Sequence, residues 1–268
     1  MLAAMTLPSD TTCYYLPLGD DTFQPTVHAQ GAWAEEEQHM APASGLLTRA
    51  LTLHEPREDL QLARISFDIL GMIHAAPSRI RTRTLRPGRT IELIEATMSV
   101  GDRDVVRATA WRLSRQDTSA VSVVEDPPLP APPAWEPSET MHQTWAGGYI
   151  ASIDVWAAPE SRSGSARVWL RSEHDLVEGK ESSALARFVG LVDTANGIAT
   201  RQPPGRWMFP NTDLGIHLYR SPRGRWVGMD TTVSWGAEGV GLTSTVLHDE
   251  HGPVGRAEQI LTVRPLRG

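Results

Sequence analysis

One carboxylate stands where a carboxylate is costly. The stretch Ser182–Thr200, SSALARFVGLVDTANGIAT, sets Leu185, Phe188, Val189, Val192, Ala195 and Ala199 at helical spacing. Leu191 and Ile198 widen the apolar stripe until little polar face remains. A helix this apolar belongs inside the protein, yet it carries Asp193 close to its C-terminal end. Burial without a partner and the negative end of the helix dipole both disfavour the charged form. Two readings are open. Asp193 ties down a neighbouring segment, or it is placed for acid–base chemistry, which favours a carboxyl whose pKa its surroundings have moved.

Other residue types that do chemistry weigh less. His248 and His251 in HDEHG stand three apart with two carboxylates between them, a spacing open to a metal ion. Asp249 and Gly252-Pro253 favour a polar hairpin turn instead. His217 sits among alternating residues of a strand and reads as a packed core histidine. Gly179-Lys180 lacks the earlier glycine and the following Ser or Thr of a phosphate loop. There is no G-x-S-x-G elbow. Cys13 is the only cysteine, which leaves no intrachain disulfide and no thiolate metal cluster. No metal or cofactor is implied.

The 268 residues are enough for one large domain or two of about half that length. A net charge of −7 argues against nucleic acid as the main partner, because phosphate binding wants a basic surface. The N-terminus has no basic n-region and no apolar h-region, and no apolar run is long enough to span a bilayer. The expectation is a soluble cytoplasmic protein with no membrane partner.

Residues 1–13 read as a loose leader. Tyr14–Leu18 and Thr22–His28 read as strands, with Gln30–Trp33 as a further extension. Pro42–Leu53 is a helix candidate opened by Pro42 and ended by Pro56. Ala63–Ile69, Arg79–Leu85, Thr90–Val100 and Val105–Leu113 follow as an antiparallel meander. Six prolines in EDPPLPAPPAWEP then mark an extended linker, which divides the chain into a half at 14–113, a linker at 114–145 and a half at 146–268. The signals start over with strands at Tyr149–Val155 and Ala166–Leu170 and the 182–200 helix. Asp213–Arg220, Trp226–Trp235, Val240–His248 and Val254–Val263 complete a second meander. Gly88-Arg89 and Gly224-Arg225 overlay at an offset of 136 (224 − 88), which suggests a duplicated unit of strands around one helix.

This order of elements, with LVDTANG on the helix, then FPNTDLGIHLYR, then VGRAEQILTVRP, resembles the type II acyl-CoA thioesterases from about Tyr14 to Arg267. The resemblance is strongest in the second half, with an echo in the first at RTLRPGR. It implies an α+β tandem (double) hot-dog fold, two antiparallel sheets each wrapped around a central helix and set edge to edge. It also implies hydrolysis of acyl-CoA or a related acyl thioester by a water that an Asp, a hydroxyl residue and a Gln orient. Carried over by motif, these are Asp193, Asn211 with Thr212 beside it, and Gln259; Asn211 stands where the family has Thr or Ser. Asp or Glu is missing from the first helix between Pro42 and His54, so one site per chain is expected.

On the same resemblance, Trp207 and Phe209 are candidates to line an acyl pocket. Arg81 and Arg83, on a basic strand face with Arg79, could meet coenzyme A phosphates, against the plainer reading of solvated strand positions. Two rivals remain. An enoyl-CoA hydratase on this fold has a His five residues after its Asp, where this chain has Ile198. A non-catalytic acyl-binding protein would suit Asn211. Exposed sheet edges make a homo-oligomer the expectation.

Overall fold

The computed structural model describes residues 6–266. The first half runs β1 (Cys13–Gly19), β2 (Thr22–Pro25), α1 (Met40–Leu53), β3 (Leu60–Ile69), β4 (Ser78–Arg86), β5 (Ile91–Val100) and β6 (Arg103–Ser114). Two short helices, α2 (Thr140–Thr144) and α3 (Gly148–Ala151), lead into the second half. It runs β7 (Asp154–Ala157), β8 (Ser165–Arg171), β9 (Asp175–Val177), α4 (Ala184–Val192), α5 (Ala195–Ile198) and β10 (Trp207–Met208). The strands β11 (Asp213–Leu218), β12 (Val227–Trp235), β13 (Val240–Asp249), β14 (Gly252–Thr262) and β15 (Arg264–Pro265) close it.

Thirteen strands form one sheet in the order β7-β8-β12-β13-β14-β11-β3-β6-β5-β4-β2-β1-β9. Apart from β9, the order reads the same from either end: each half contributes six strands, and the halves meet where β11 pairs antiparallel with β3. The expected edge-to-edge junction is therefore a continuous hydrogen-bonded ladder, and the two sheets are one. The strand β9 escaped the sequence reading and crosses over to pair in parallel with β1 of the other half. Repeat register differs from the overlay at 136. Strand starts give 149 for β4 and β12 (227 − 78), for β5 and β13 (240 − 91) and for β6 and β14 (252 − 103). The Gly-Arg pairs precede non-equivalent strands, β5 and β12, which put the overlay one strand out of step.

The apolar faces of α1 and α4 are buried against one another and against the inner face of the sheet. The helices cross where Gly45 meets Gly190, so closely that a Cβ on Gly45 would stand 2.9 Å from the Gly190 Cα. Ser44 donates to the Val189 carbonyl at the same crossing, 3.0 Å away. With no side chain on either glycine, the backbones approach and the helices share one core.

Several local expectations change for local reasons. The helix α1 starts two residues before Pro42, because the His39 ring accepts the Ala41 amide and caps it. The second strand stops at Pro25 and gives way to a 3-10 turn at Val27–Ala29 capped by Thr26. Beyond it, Gln30 makes an isolated bridge with Gln38 rather than extending a strand. Tyr149 lies in α3, not in a strand, and is fully buried. His217 alternates with Leu214, Ile216 and Leu218 and therefore points to the exposed face, not into the core. His248 is buried with Nε2 against the Pro127 carbonyl, and Asp249 forms a two-point ion pair with Arg220, so HDEHG is built as a hairpin end. Of the expected leader, residues 1–5 lie outside the described residues. Pro8 and Thr12 accept backbone hydrogen bonds from Val27 and Asp175, which ties that stretch to the fold.

Candidate active site

The 182–200 helix does not run through. Ser183 caps α4 by accepting the Ala186 amide, and α4 ends at Val192 with Asp193 as its C-cap. Tight turns follow, with Thr194 N–H bonded to the Leu191 carbonyl and Gly197 N–H to that of Thr194. The break leaves the carboxylate at the helix end, between Asn211 and Gln259 of the second half and His39 of the first.

Three segments converge on Asp193. Residues 255, 257, 259 and 261 of β14 face inward by strand alternation, which brings Gln259 beneath the end of α4. Asn211 precedes β11 and bridges to Leu261. Gln259 Nε2 and Asn211 Nδ2 both donate to Asp193 Oδ1, at 2.9 Å and 2.8 Å. The carboxylate is 5% exposed, and burial pushes its pKa up to about 6, against the pull of the two amide donors. A carboxyl that titrates about one unit below neutrality is charged at neutral pH and still basic enough to take and return a proton.

The other oxygen, Oδ2, lies 3.7 Å from Nδ1 of His39. This is not an ion pair. The lone pair on Nδ1 already accepts the Ala41 amide at 3.0 Å, so the ring proton sits on Nε2, and burial pushes the histidine down to about 3. The ring lies on Tyr149 with centroids 4.2 Å apart, and the Tyr149 hydroxyl is 2.6 Å from that of Thr194.

Asp193 opens on a cavity of about 290 Å³. The first half supplies Trp33, His39 and Ile73 to its lining, the connecting segment Met141 and Trp145, and the second half Asn196 and Asn211, among others. The site thus belongs to the junction of the repeats. Its counterpart in the other half is empty of chemistry. The glycines at the helix crossing differ by 145 (190 − 45), which sets Thr48 opposite Asp193; the strand offset of 149 sets Ala110 opposite Gln259.

A sequence model of the acyl-CoA thioesterase N-terminal domain matches residues 29–113, and one of the C-terminal domain matches residues 124–263. The chain belongs to the acyl-CoA thioesterase family. Solved structures give the family fold. An acyl-CoA thioesterase II from Mycobacterium marinum superposes with a TM-score of 0.65 at 14% identity, over 95% of this chain and 96% of its own. A protein of Thermobifida fusca YX provisionally assigned as a thioesterase II gives 0.70 at 16% identity, over 96% and 99%. A hot-dog protein of unknown function from Alicyclobacillus acidocaldarius gives 0.74 at 13%, over 96% and 98%. No curated protein matches the chain. At these identities the likeness establishes the fold, a hot-dog repeated in tandem.

Within this family fold, the remaining residues singled out by sequence fall as follows. Thr212 lines the cavity and is exposed, with its backbone carrying the bonds to Ile260 and Ile69. Phe209 is buried one layer back, edge-on to Trp33 and Trp145, which do line the cavity. Trp207 pairs with Pro265 and packs on Trp235. Arg81 and Arg83 lie on the exposed face of β4, paired with Asp104 and Glu95, in a separate shallow hollow. The sequence reading passed over His39, Tyr149, Thr194 and Asn196. For His39 the obscuring signal was Pro42, which placed the helix start beyond it and hid a cap that Ser, Thr, Asp or Asn would have advertised. No helix among the described residues is long and apolar enough to cross a membrane.

Proposed function

We propose that the protein hydrolyses acyl-CoA, or a related acyl thioester, to the free acid and thiol, with Asp193 as the general base. The observation that carries this reading is the placement of one buried carboxylate, held by two amides on a single oxygen, at the wall of a cavity that Trp33, Ile73, Met141 and Trp145 also line. With Oδ1 occupied, Oδ2 is the basic atom available to a water in the cavity. As that water's oxygen bonds to the thioester carbon, its proton passes to Oδ2 and the carbonyl oxygen becomes an oxyanion. When the oxyanion collapses, the carbon–sulfur bond breaks and the thiolate sulfur takes the proton back.

Asn211 and Gln259 fix the carboxylate's orientation and resist the rise in its pKa, so that enough of the charged form exists near neutrality. The N-terminal end of α1, with His39 and Met40 at the cavity, presents the positive pole of a 14-residue helix to the negative charge that develops. The apolar part of the lining, with Trp33, Ile73, Met141 and Trp145, offers an acyl chain a surface to pack on.

The test is thiol release from a panel of acyl-CoA chain lengths, with Asp193→Asn run alongside. Loss of turnover by roughly 10²-fold or more with substrate still bound is the expected outcome for a missing base. Equal turnover by both proteins removes Asp193 from the role. Tight acyl-CoA binding by the unaltered protein without thiol release replaces hydrolysis with a binding function.

A further inference from the structure

The His39 ring is constrained on two sides and open on a third. Its Nδ1 is consumed by the Ala41 amide, so the ring cannot shuttle a proton through that nitrogen. Its face is covered by Tyr149, which fixes the ring plane. The remaining polar atom, Nε2–H, has no acceptor among the described residues, while the residue lines the cavity beside Asp193. An N–H donor held in a fixed ring, on a side chain that lines the cavity Asp193 opens on, is free to donate to a ligand atom there.

We propose that His39 is a further catalytic residue, its Nε2–H donating a hydrogen bond to the thioester carbonyl oxygen and to the oxyanion formed from it. This role presupposes the thioester hydrolysis read above. The imidazole stays neutral, because burial and the helix start both disfavour its cation. A neutral donor keeps its own proton throughout: the water's proton goes to Asp193 and then to sulfur, and His39 only polarises the carbonyl. The same neutrality spares Asp193 a cation next to Oδ2, which would hold the carboxylate deprotonated and weaken it as a base.

Two substitutions separate the cap from the donor. His39→Asn keeps an acceptor for the Ala41 amide and removes Nε2–H; His39→Gln reaches an amide N–H to the place of Nε2 and gives up the cap. Expected for His39→Asn is a fall in kcat of about 10²-fold, the size of one lost oxyanion donor, with KM changed far less. His39→Gln recovers a large part of that loss, although it is the variant that injures the helix start. A purely structural role gives the reverse order.

A readout free of turnover uses the ketone analogue of an acyl-CoA, with methylene in place of the thioester sulfur. Its carbonyl stretch falls to lower frequency on binding the unaltered protein and stays near the free value in His39→Asn. An equal fall in both, or no fall in either, overturns the role of His39. A fall that depends on His39 in a protein that releases no thiol keeps the donor and rejects hydrolysis.

Discussion

Gln259 donates its side-chain amide to Asp193 Oδ1 across 2.9 Å, although 66 residues separate the two in the chain. The bond favours the charged carboxylate, while the rest of the site, through burial, favours the neutral one. The balance between them sets where Asp193 titrates.

The pH dependence of kcat/KM therefore follows Asp193. Activity rises with pH through a midpoint near 6, as the base loses its proton, and then levels off. Removing either donor, by Gln259→Met or Asn211→Val, leaves the charged form less supported and moves the midpoint upward by roughly one unit, the worth of one hydrogen bond to a charge. A midpoint that stays in place in both variants would show that these amides do not govern the base. Initial rates between pH 5 and 9 measure it.

The same balance costs stability. Asp193 binds its proton more tightly in the folded protein, at about 6, than at its ordinary 3.8. Well below pH 3.8 both states are protonated and the fold is not penalised; the penalty builds between 3.8 and about 6, where the unfolded chain has lost the proton and the folded one still holds it, and it levels off above 6. It amounts to about 3 kcal/mol above pH 7. Asp193→Asn, which still accepts both amides through its own Oδ1, is predicted to be more stable than the unaltered protein at pH 8 and nearly equal to it at about pH 3. Urea midpoints at the two pH values decide it.

The helix crossing predicts an asymmetry. On Gly45 a Cβ meets the backbone of Gly190 and of Ala186 at 2.9 Å and 3.1 Å, and backbone cannot move aside cheaply. Gly45→Ala should destabilise by about 1–3 kcal/mol through forced separation of α1 and α4. On Gly190 the Cβ is 3.5 Å from the nearest such atom, so Gly190→Ala is accommodated and gains helix propensity of up to about 1 kcal/mol. Thermal midpoints of the two variants should move in opposite directions.

Arg112 closes the other end of α1. Its guanidinium, 4% exposed, donates to the carbonyls of Leu51, His54 and Glu55 and pairs with buried Glu92 at 2.9 Å. Arg112→Met leaves Glu92 with only Arg57, 3.8 Å away, and should cost about 3–5 kcal/mol. Adding Glu92→Met should recover part of that loss, because the stranded charge is gone. Chemical unfolding of both variants provides the comparison.

Much of this protein can be read along the chain because the governing signals are local. The helix α1 shows as a 3.6-residue stripe, β4 as alternating arginines, and the strand boundaries as Gly and Pro turns, each within a few residues of its cause. Asp193 stood out by type alone, as a lone acid in an apolar helix. What failed was what depends on a neighbour: the strand β9, too short to show a period, exists because β1 offers it an edge, and Tyr149 is drawn into a helical turn and buried against His39. The repeat offset failed too, because two Gly-Arg turns of different strands look alike in sequence.

The sequence by itself determined most of the elements, the fact of a repeat and the lone acid on the second apolar helix, since side-chain periodicity and backbone preference act over a few residues. Only the tertiary structure decided that the helix breaks at Asp193, that both amide donors choose the same carboxylate oxygen, and that His39 stands beside the other. Those relations depend on two repeats meeting at a Gly45–Gly190 contact, where distances of a few ångströms join residues far apart in the chain, and no short-range pattern encodes them.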